Sequence, residues 1–265
     1  MRKLILLLTI ILLTSNSFAQ KVDTLDVFSI SMQKHIKTLI IIPNHTLKRA
    51  IPSVYILHGY SGNPERTIKE DIPSLLRLSQ ETQTLFILPD GNYDSWYIDS
   101  KQNNSKYETF IANELVDYID KHYKTDRSKT AIIGWSMGGH GALYIGARHQ
   151  NIFESIGSIC GAIDFTAYGA DYGVPKLLGK NKESWINYTA DSQIIRLKES
   201  KQKLIISCGI NDPFIKQNRD LHQKLIALKI PHIYEECSGE HNAAYWSKAA
   251  NTQLFHINNY FNGKE

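Results

Sequence analysis

The chain has 265 residues, of which 42% are apolar, enough to bury a sizeable core and too many for a disordered segment. Its 30 Lys and Arg stand against 26 Asp and Glu, a formal net charge of +4. Two of the basic residues, Arg2 and Lys3, fall in an N-terminal leader; the remainder is nearly neutral and gives no case for a nucleic-acid partner.

That leader, MRKLILLLTIILLTSNSFAQ, has a charged start, an apolar run from Leu4 to Leu13 and a small-x-small site at Ser17-Phe18-Ala19. The run is short of the roughly 20 apolar residues of a membrane span. Residues 1–19 are therefore expected to be a cleaved signal peptide, leaving a secreted or periplasmic protein without a stable membrane anchor. Residues 20–265 are expected to form one domain.

Short runs rich in β-branched residues follow: IKTLIII, SVYILHG, TLFILPD, TAIIGWS, SIGSICG, KLIISCG and HIYEECS. From SVYILHG onward most read as strands buried on both faces, the pattern of a parallel sheet. The two earliest have no helix between them, which suggests an antiparallel edge. Helical periodicity separates several of the others. In YETFIANELVDYIDKHY, Phe110, Ile111, Leu115, Tyr118 and Ile119 make one apolar stripe, and in DPFIKQNRDLHQKLIALK, Leu221, Leu225 and Leu228 make another. The alternation predicts an α/β fold with a mostly parallel central sheet and helices on both faces. Gly161 to Lys201 is a connection of about 40 residues, where a few would suffice. Bearing Phe165, Tyr168, Tyr172 and Trp185, it is expected to be a cap-like insertion, 161–201, lining a pocket.

Three cysteines, Cys160, Cys208 and Cys237, leave at least one thiol free. Their spacing matches neither a zinc site nor a CxxC pair, and they read as small buried apolar residues.

The stretch AIIGWSMGGHGAL places Ser136 between Gly134 and Gly138 where a strand gives way to a helix. A sharp strand-to-helix turn strains its central residue and leaves no room for neighbouring side chains. This Gly-x-Ser-x-Gly pattern is the nucleophile elbow of α/β-hydrolases. A serine needs a base, and the base an orienting acid. In the order Ser, Asp/Glu, His, the turns after KLIISCG and HIYEECS supply Asp212 and His241. Asp164 is a rival acid and His222, His232 and His256 are weaker bases, while Asp90 reads as a turn former. The oxyanion donors would be the backbone N–H of Met137 and, from the His-Gly loop of VYILHGYSGN, that of Tyr60; His58 reads as a loop organiser.

Taken together, LHGYSGN, LPDGNYDSWYID, YETFIANELVDYID, AIIGWSMGGHGAL, CGINDPF and GEHNAAYW resemble the putative-esterase family of α/β-hydrolases. That family includes S-formylglutathione hydrolases, tributyrin-type esterases, feruloyl and acetyl-xylan esterases, siderophore esterases and mycolyltransferases. The resemblance covers nearly all of the mature chain and implies a Ser136–Asp212–His241 triad, with the Tyr60 and Met137 amides as oxyanion hole. It implies hydrolysis of a small-molecule or oligosaccharide ester, short-chain, carbohydrate-linked or feruloyl-type, with no metal or organic cofactor. Acyl transfer, a formylglutathione thioesterase and an inactive binding protein of the same fold are the alternatives. Tyr93, Trp96, Tyr97 and Trp185 are candidates to stack on a sugar or an aromatic acyl group, with core packing as the other reading.

Overall fold

The computed structural model describes residues 21–44, 49–102 and 104–264; the expected signal peptide, 1–19, lies outside the described residues. Eight strands form one sheet: β1 (Lys21–Ser29), β2 (Lys34–Ile42), β3 (Ile51–Leu57), β4 (Leu85–Pro89), β5 (Thr125–Trp135), β6 (Ser155–Ile159), β7 (Lys203–Gly209) and β8 (Ile233–Cys237). Their spatial order is β1-β2-β4-β3-β5-β6-β7-β8. β1 pairs antiparallel with β2 and β2 antiparallel with β4; every later pairing is parallel. An antiparallel edge is therefore present, but β2 neighbours β4 and not β3. β1 lacks a continuous apolar run because it is an edge strand, burying only Val27 and Ser29 fully.

Alternate residues of the buried strands face opposite layers, as a pleat of period two requires. Ile40, Tyr55, Ile87, Ile132, Ile156 and Ile206 join one core, with the helical run 107–122, the helix Met137–Arg148 and the helix Ile215–Ala227. Ile41, Val54, Phe86, Ile133 and Ile205 join the other, under the helices Leu75–Thr82 and Ala243–Phe261. No helix among the described residues is long and apolar enough to cross a membrane.

Segment 161–201 folds into short helices, Val174–Leu178, Lys182–Trp185 and Ala190–Gln193, with 3-10 turns between and around them. It buries Phe165, Val174, Leu177, Trp185, Ile194 and Leu197 in the first core. It is thus largely a covering layer against the Met137–Arg148 helix, and only Tyr172 of its aromatics reaches the cavity over Ser136 and His241. None of the three cysteines is in a disulfide; Cys160 and Cys208 are buried and Cys237 is half-buried. Parallel pairing carries the ends of β3, β5, β6, β7 and β8 to one edge of the sheet, the place where open α/β sheets bind ligands.

Candidate active site

Ser136 follows the last residue of β5 and precedes the helix Met137–Arg148, with φ +56° and ψ −120°. A side chain here is strained, and the surrounding backbone holds it. Its N–H donates to the Ile159 carbonyl at 3.0 Å, and its own carbonyl accepts from the N–H of His140 at 3.1 Å. The turn is tight enough that a Cβ on Gly138 would run into the Leu57 carbonyl, and one on Gly134 would lie 2.8 Å from that oxygen. These two glycines permit the turn; Ser136 Oγ is what it presents.

His241 comes from the turn after β8 and Asp212 from the turn after β7. The imidazole Nδ1 lies 2.7 Å from Asp212 Oδ2, and Nε2 lies 2.9 Å from Ser136 Oγ. A carboxylate can only accept, so Nδ1 carries the proton and neutral His241 offers its Nε2 lone pair to the serine hydroxyl. The other Asp212 oxygen accepts from the Phe214 N–H at 2.8 Å, and the Asp212 N–H donates to Gly209 at 3.1 Å. Phe214 and Trp246 stand edge-on to the imidazole at 5.1 and 5.2 Å. Burial disfavours the imidazolium, but hydrogen bonding and charge from Asp212, aided by the Cys160 thiol, outweigh it and raise the His241 pKa to about 9.

The loop after β3 lies beside this group: a Cβ on Gly59 would be 3.4 Å from Ser136 Cβ. Buried His58 organises that loop. Its Nδ1–H donates to the Gly59 carbonyl at 2.8 Å, its Nε2 accepts from the Gly91 N–H at 2.8 Å, and Tyr97 Oη donates to its carbonyl at 3.0 Å. The Tyr60 and Met137 N–H groups have no acceptor among the described residues, Met137 being the first residue of its helix. Two free donors beside a serine oxygen can hold a developing oxyanion.

A cavity of about 260 Å³ opens onto Ser136 and His241, with Tyr60, Tyr172, Phe214 and Trp246 in its wall. Trp96, Tyr97 and Trp185 do not line it, which corrects the stacking role considered for them. All three are buried core residues. Positive φ at Trp96 and Tyr97, +51° and +56°, accompanies their inward packing. The Trp96 and Trp185 indoles donate to the carbonyls of Tyr172 and Gly179, each at 2.9 Å. Tyr93 is exposed and packs edge-on to Tyr60 at 4.8 Å. Sequence reasoning missed the wall formed by Phe214 and Trp246, although both lie in the stretches that carry Asp212 and His241.

The rivals are engaged elsewhere. Asp164 closes a turn by accepting from the Thr166 N–H at 2.8 Å, and Asp90 does the same with Asn92 at 2.8 Å. His222 and His232 bond to each other at 2.8 Å, and His256 lies 3.6 Å from Glu235. Among the described residues, the group with metal-ligand chemistry is Cys160, Cys208 and Asp212, whose donor atoms lie within 4.8 Å of one another. Both Asp212 oxygens are already engaged by His241 and Phe214.

A mostly parallel eight-stranded sheet, with a strained serine on a strand-to-helix turn and a histidine–aspartate pair beside it, defines a serine hydrolase of the α/β class. The family model described as Putative esterase matches residues 29–257, and the chain belongs to that family. It is 28% identical over 215 residues to an acetyl esterase of Caldicellulosiruptor saccharolyticus, covering 75% of this chain and 80% of that one. In structure it is similar to an S-formylglutathione hydrolase of Staphylococcus aureus, with a TM-score of 0.79, 22% identity and 91% and 99% of the two chains covered. A ferulic acid esterase of Anaeromyces mucronatus, solved with ferulic acid, aligns with a TM-score of 0.63 and 20% identity over 87% of this chain and 89% of that one.

Proposed function

We propose that the protein is an exported serine carboxylesterase acting through Ser136, His241 and Asp212. His241 Nε2 takes the Ser136 proton as Oγ attacks the ester carbonyl, and Asp212 orients the imidazole and stabilises its cation. The Tyr60 and Met137 amides stabilise the tetrahedral oxyanion. The same imidazolium then protonates the departing alcohol. Water, deprotonated by His241, releases the acid from the acyl-enzyme. None of these steps calls for a metal or an organic cofactor.

The observation that carries this reading is His241 between Ser136 Oγ at 2.9 Å and Asp212 Oδ2 at 2.7 Å. Export rests on the sequence pattern of residues 1–19, within one catalytic domain, 20–265. A short-chain, carbohydrate-linked or feruloyl-type ester is the substrate class favoured by the small cavity and by the acetyl and ferulic acid esterases similar to this chain. The decisive test is Ser136→Ala assayed on 4-nitrophenyl acetate. We expect kcat to fall by roughly 10⁴ or more, because only binding and the oxyanion donors remain. Turnover at the parent rate would end the serine mechanism.

A further inference from the structure

The same cavity has a polar corner that the proposed mechanism does not use. Arg66 and Asp71 line it together with Ser136 and His241. Both come from the segment that follows the Tyr60 loop. Asn63 caps a single turn, Pro64–Arg66, by accepting from the Arg66 N–H at 2.9 Å. The chain then widens into a π turn, Thr67–Asp71, closed by Ile72 N–H to the Thr67 carbonyl at 2.8 Å. Ile72 and Leu75 anchor the far end in the core. A π turn inserts one extra residue per turn and redirects the side chain that follows, and such turns recur at functional sites.

The redirected side chain is Asp71. Its carboxylate is only 2% exposed, and neither oxygen receives a hydrogen bond among the described residues. Arg66 Nε lies 3.3 Å from Asp71 Oδ1, without the alignment of a hydrogen bond, and 3.7 Å from Glu70 Oε2. The terminal guanidinium nitrogens make no hydrogen bond among the described residues. Burial raises the Asp71 pKa, against the opposing charge of Arg66. An enclosed carboxylate without a donor is costly, and a fold keeps one where a ligand completes it.

We propose that Asp71 and Arg66 form a hydroxyl-recognising corner that selects esters bearing a free hydroxyl near the scissile bond. This rests on the esterase reading and names the substrate chemistry of the same site. A hydroxyl both donates and accepts through a single oxygen, so it can donate a hydrogen bond to Asp71 and accept one from the Arg66 fork. A substrate carboxylate would satisfy Arg66 and be repelled by Asp71; an ammonium would do the reverse. An alkyl group would leave both buried groups unpaired, the kind of mismatch that polar sites reject most strongly. Tyr60 and Tyr172, edge-to-face at 5.1 Å, supply an apolar wall in the same cavity.

The hydroxyl can lie on the alcohol or on the acyl side, and matched pairs separate the two. We would measure kcat/KM for 1-acetylglycerol against propyl acetate, and for methyl lactate against methyl propanoate. We expect the hydroxylated member of one pair to be favoured about tenfold or more. Asp71→Leu and Arg66→Met should each bring that ratio close to one, while Glu70→Gln, at the exposed neighbour, should leave it in place. Arg66 is partly exposed, so its variant carries the test should Asp71→Leu fail to fold. Ratios near one in both pairs for the parent enzyme, or an unchanged ratio in Arg66→Met, would overturn the corner alone. Failure of the parent to cleave any of the four esters would overturn the esterase reading, and the corner with it.

Discussion

Asp212 holds two fixed donors, the His241 imidazole and the Phe214 amide, so it cannot rotate away from the base. An asparagine there would present a donor or a weaker acceptor to Nδ1 and would remove the charge facing the imidazolium. We expect Asp212→Asn to lower kcat by roughly 10³ to 10⁴. Asp164→Asn, which alters a turn with no contact to His241, should cost less than about tenfold. The opposite ranking, measured on the same small ester, would move the acid to the other strand. The pH profile tests the same pair. Because Asp212 raises the His241 pKa to about 9, the neutral base is scarce at pH 7. The rise of kcat/KM with pH should therefore be centred well above the ordinary histidine value of about 6.5. A plateau already reached at pH 7 would show that the resting imidazole is not so strongly held.

At the scale of elements, the turn between β5 and its following helix depends on close backbone approach. A Cβ on Gly138 would strike the Leu57 carbonyl and come within 2.7 Å of the His58 carbonyl, neither of which can move without disturbing β3. Around Gly59, a Cβ would meet the Trp135 ring at 3.2 to 3.3 Å, where a small side-chain shift suffices. We expect Gly138→Ala to lower Tm by several degrees and activity by about 10² or more, and Gly59→Ala to be milder in both. Equal effects in circular dichroism melts would show that the elbow tolerates displacement. This local geometry was legible in the sequence because glycine spacing, strand and helix coincide within a dozen residues. Ser136, Asp212 and His241 were readable as candidates because each terminates or follows a recognisable apolar strand. What escaped was set by tertiary direction. β1 has no apolar run because it is an edge. Trp96 and Tyr97 read equally as pocket or packing aromatics, and sequence alone could not choose; the structure buries both in the core. The π turn before Ile72 has no sequence period that would announce Asp71 as a pocket residue.

For the whole molecule, two histidines of opposite behaviour, His140 buried and His241 half-buried, should shape stability against pH. His140 is fully buried between the carbonyls of Trp96 and Tyr188, at 3.1 and 3.0 Å, and ties the loop after β4 to segment 161–201. Burial lowers its pKa to about 4, more than the two carbonyls can raise it. Unfolded, it takes a proton near pH 6.5. Between about 4 and 6.5 the unfolded chain therefore binds the extra proton, and stability falls as pH falls through that window. His241 acts in reverse. Its folded pKa, about 9, lies above the unfolded value, so its contribution is complete below 6.5 and is lost as pH rises toward 9. Each displacement corresponds to roughly 3 kcal/mol at full development. Burial works against the charged forms of Asp90 and Glu108, but the Asn92 N–H and the Lys37 charge at Asp90, and His149 with Arg148 at Glu108, hold both below the ordinary carboxyl range. Their effect on stability belongs below about pH 4.5 and overlaps little with the histidine window. We therefore expect chemical-denaturation midpoints to peak near pH 6.5 and decline on both sides. His140→Gln should flatten the acid side, Asp212→Asn the alkaline side, and neither should alter the other limb. An acid limb that persists in His140→Gln would assign it to other groups. With both limbs placed as expected, activity would still be climbing toward pH 9 while the fold weakens, because one proton on His241 both stabilises the native state and blocks its use as a base.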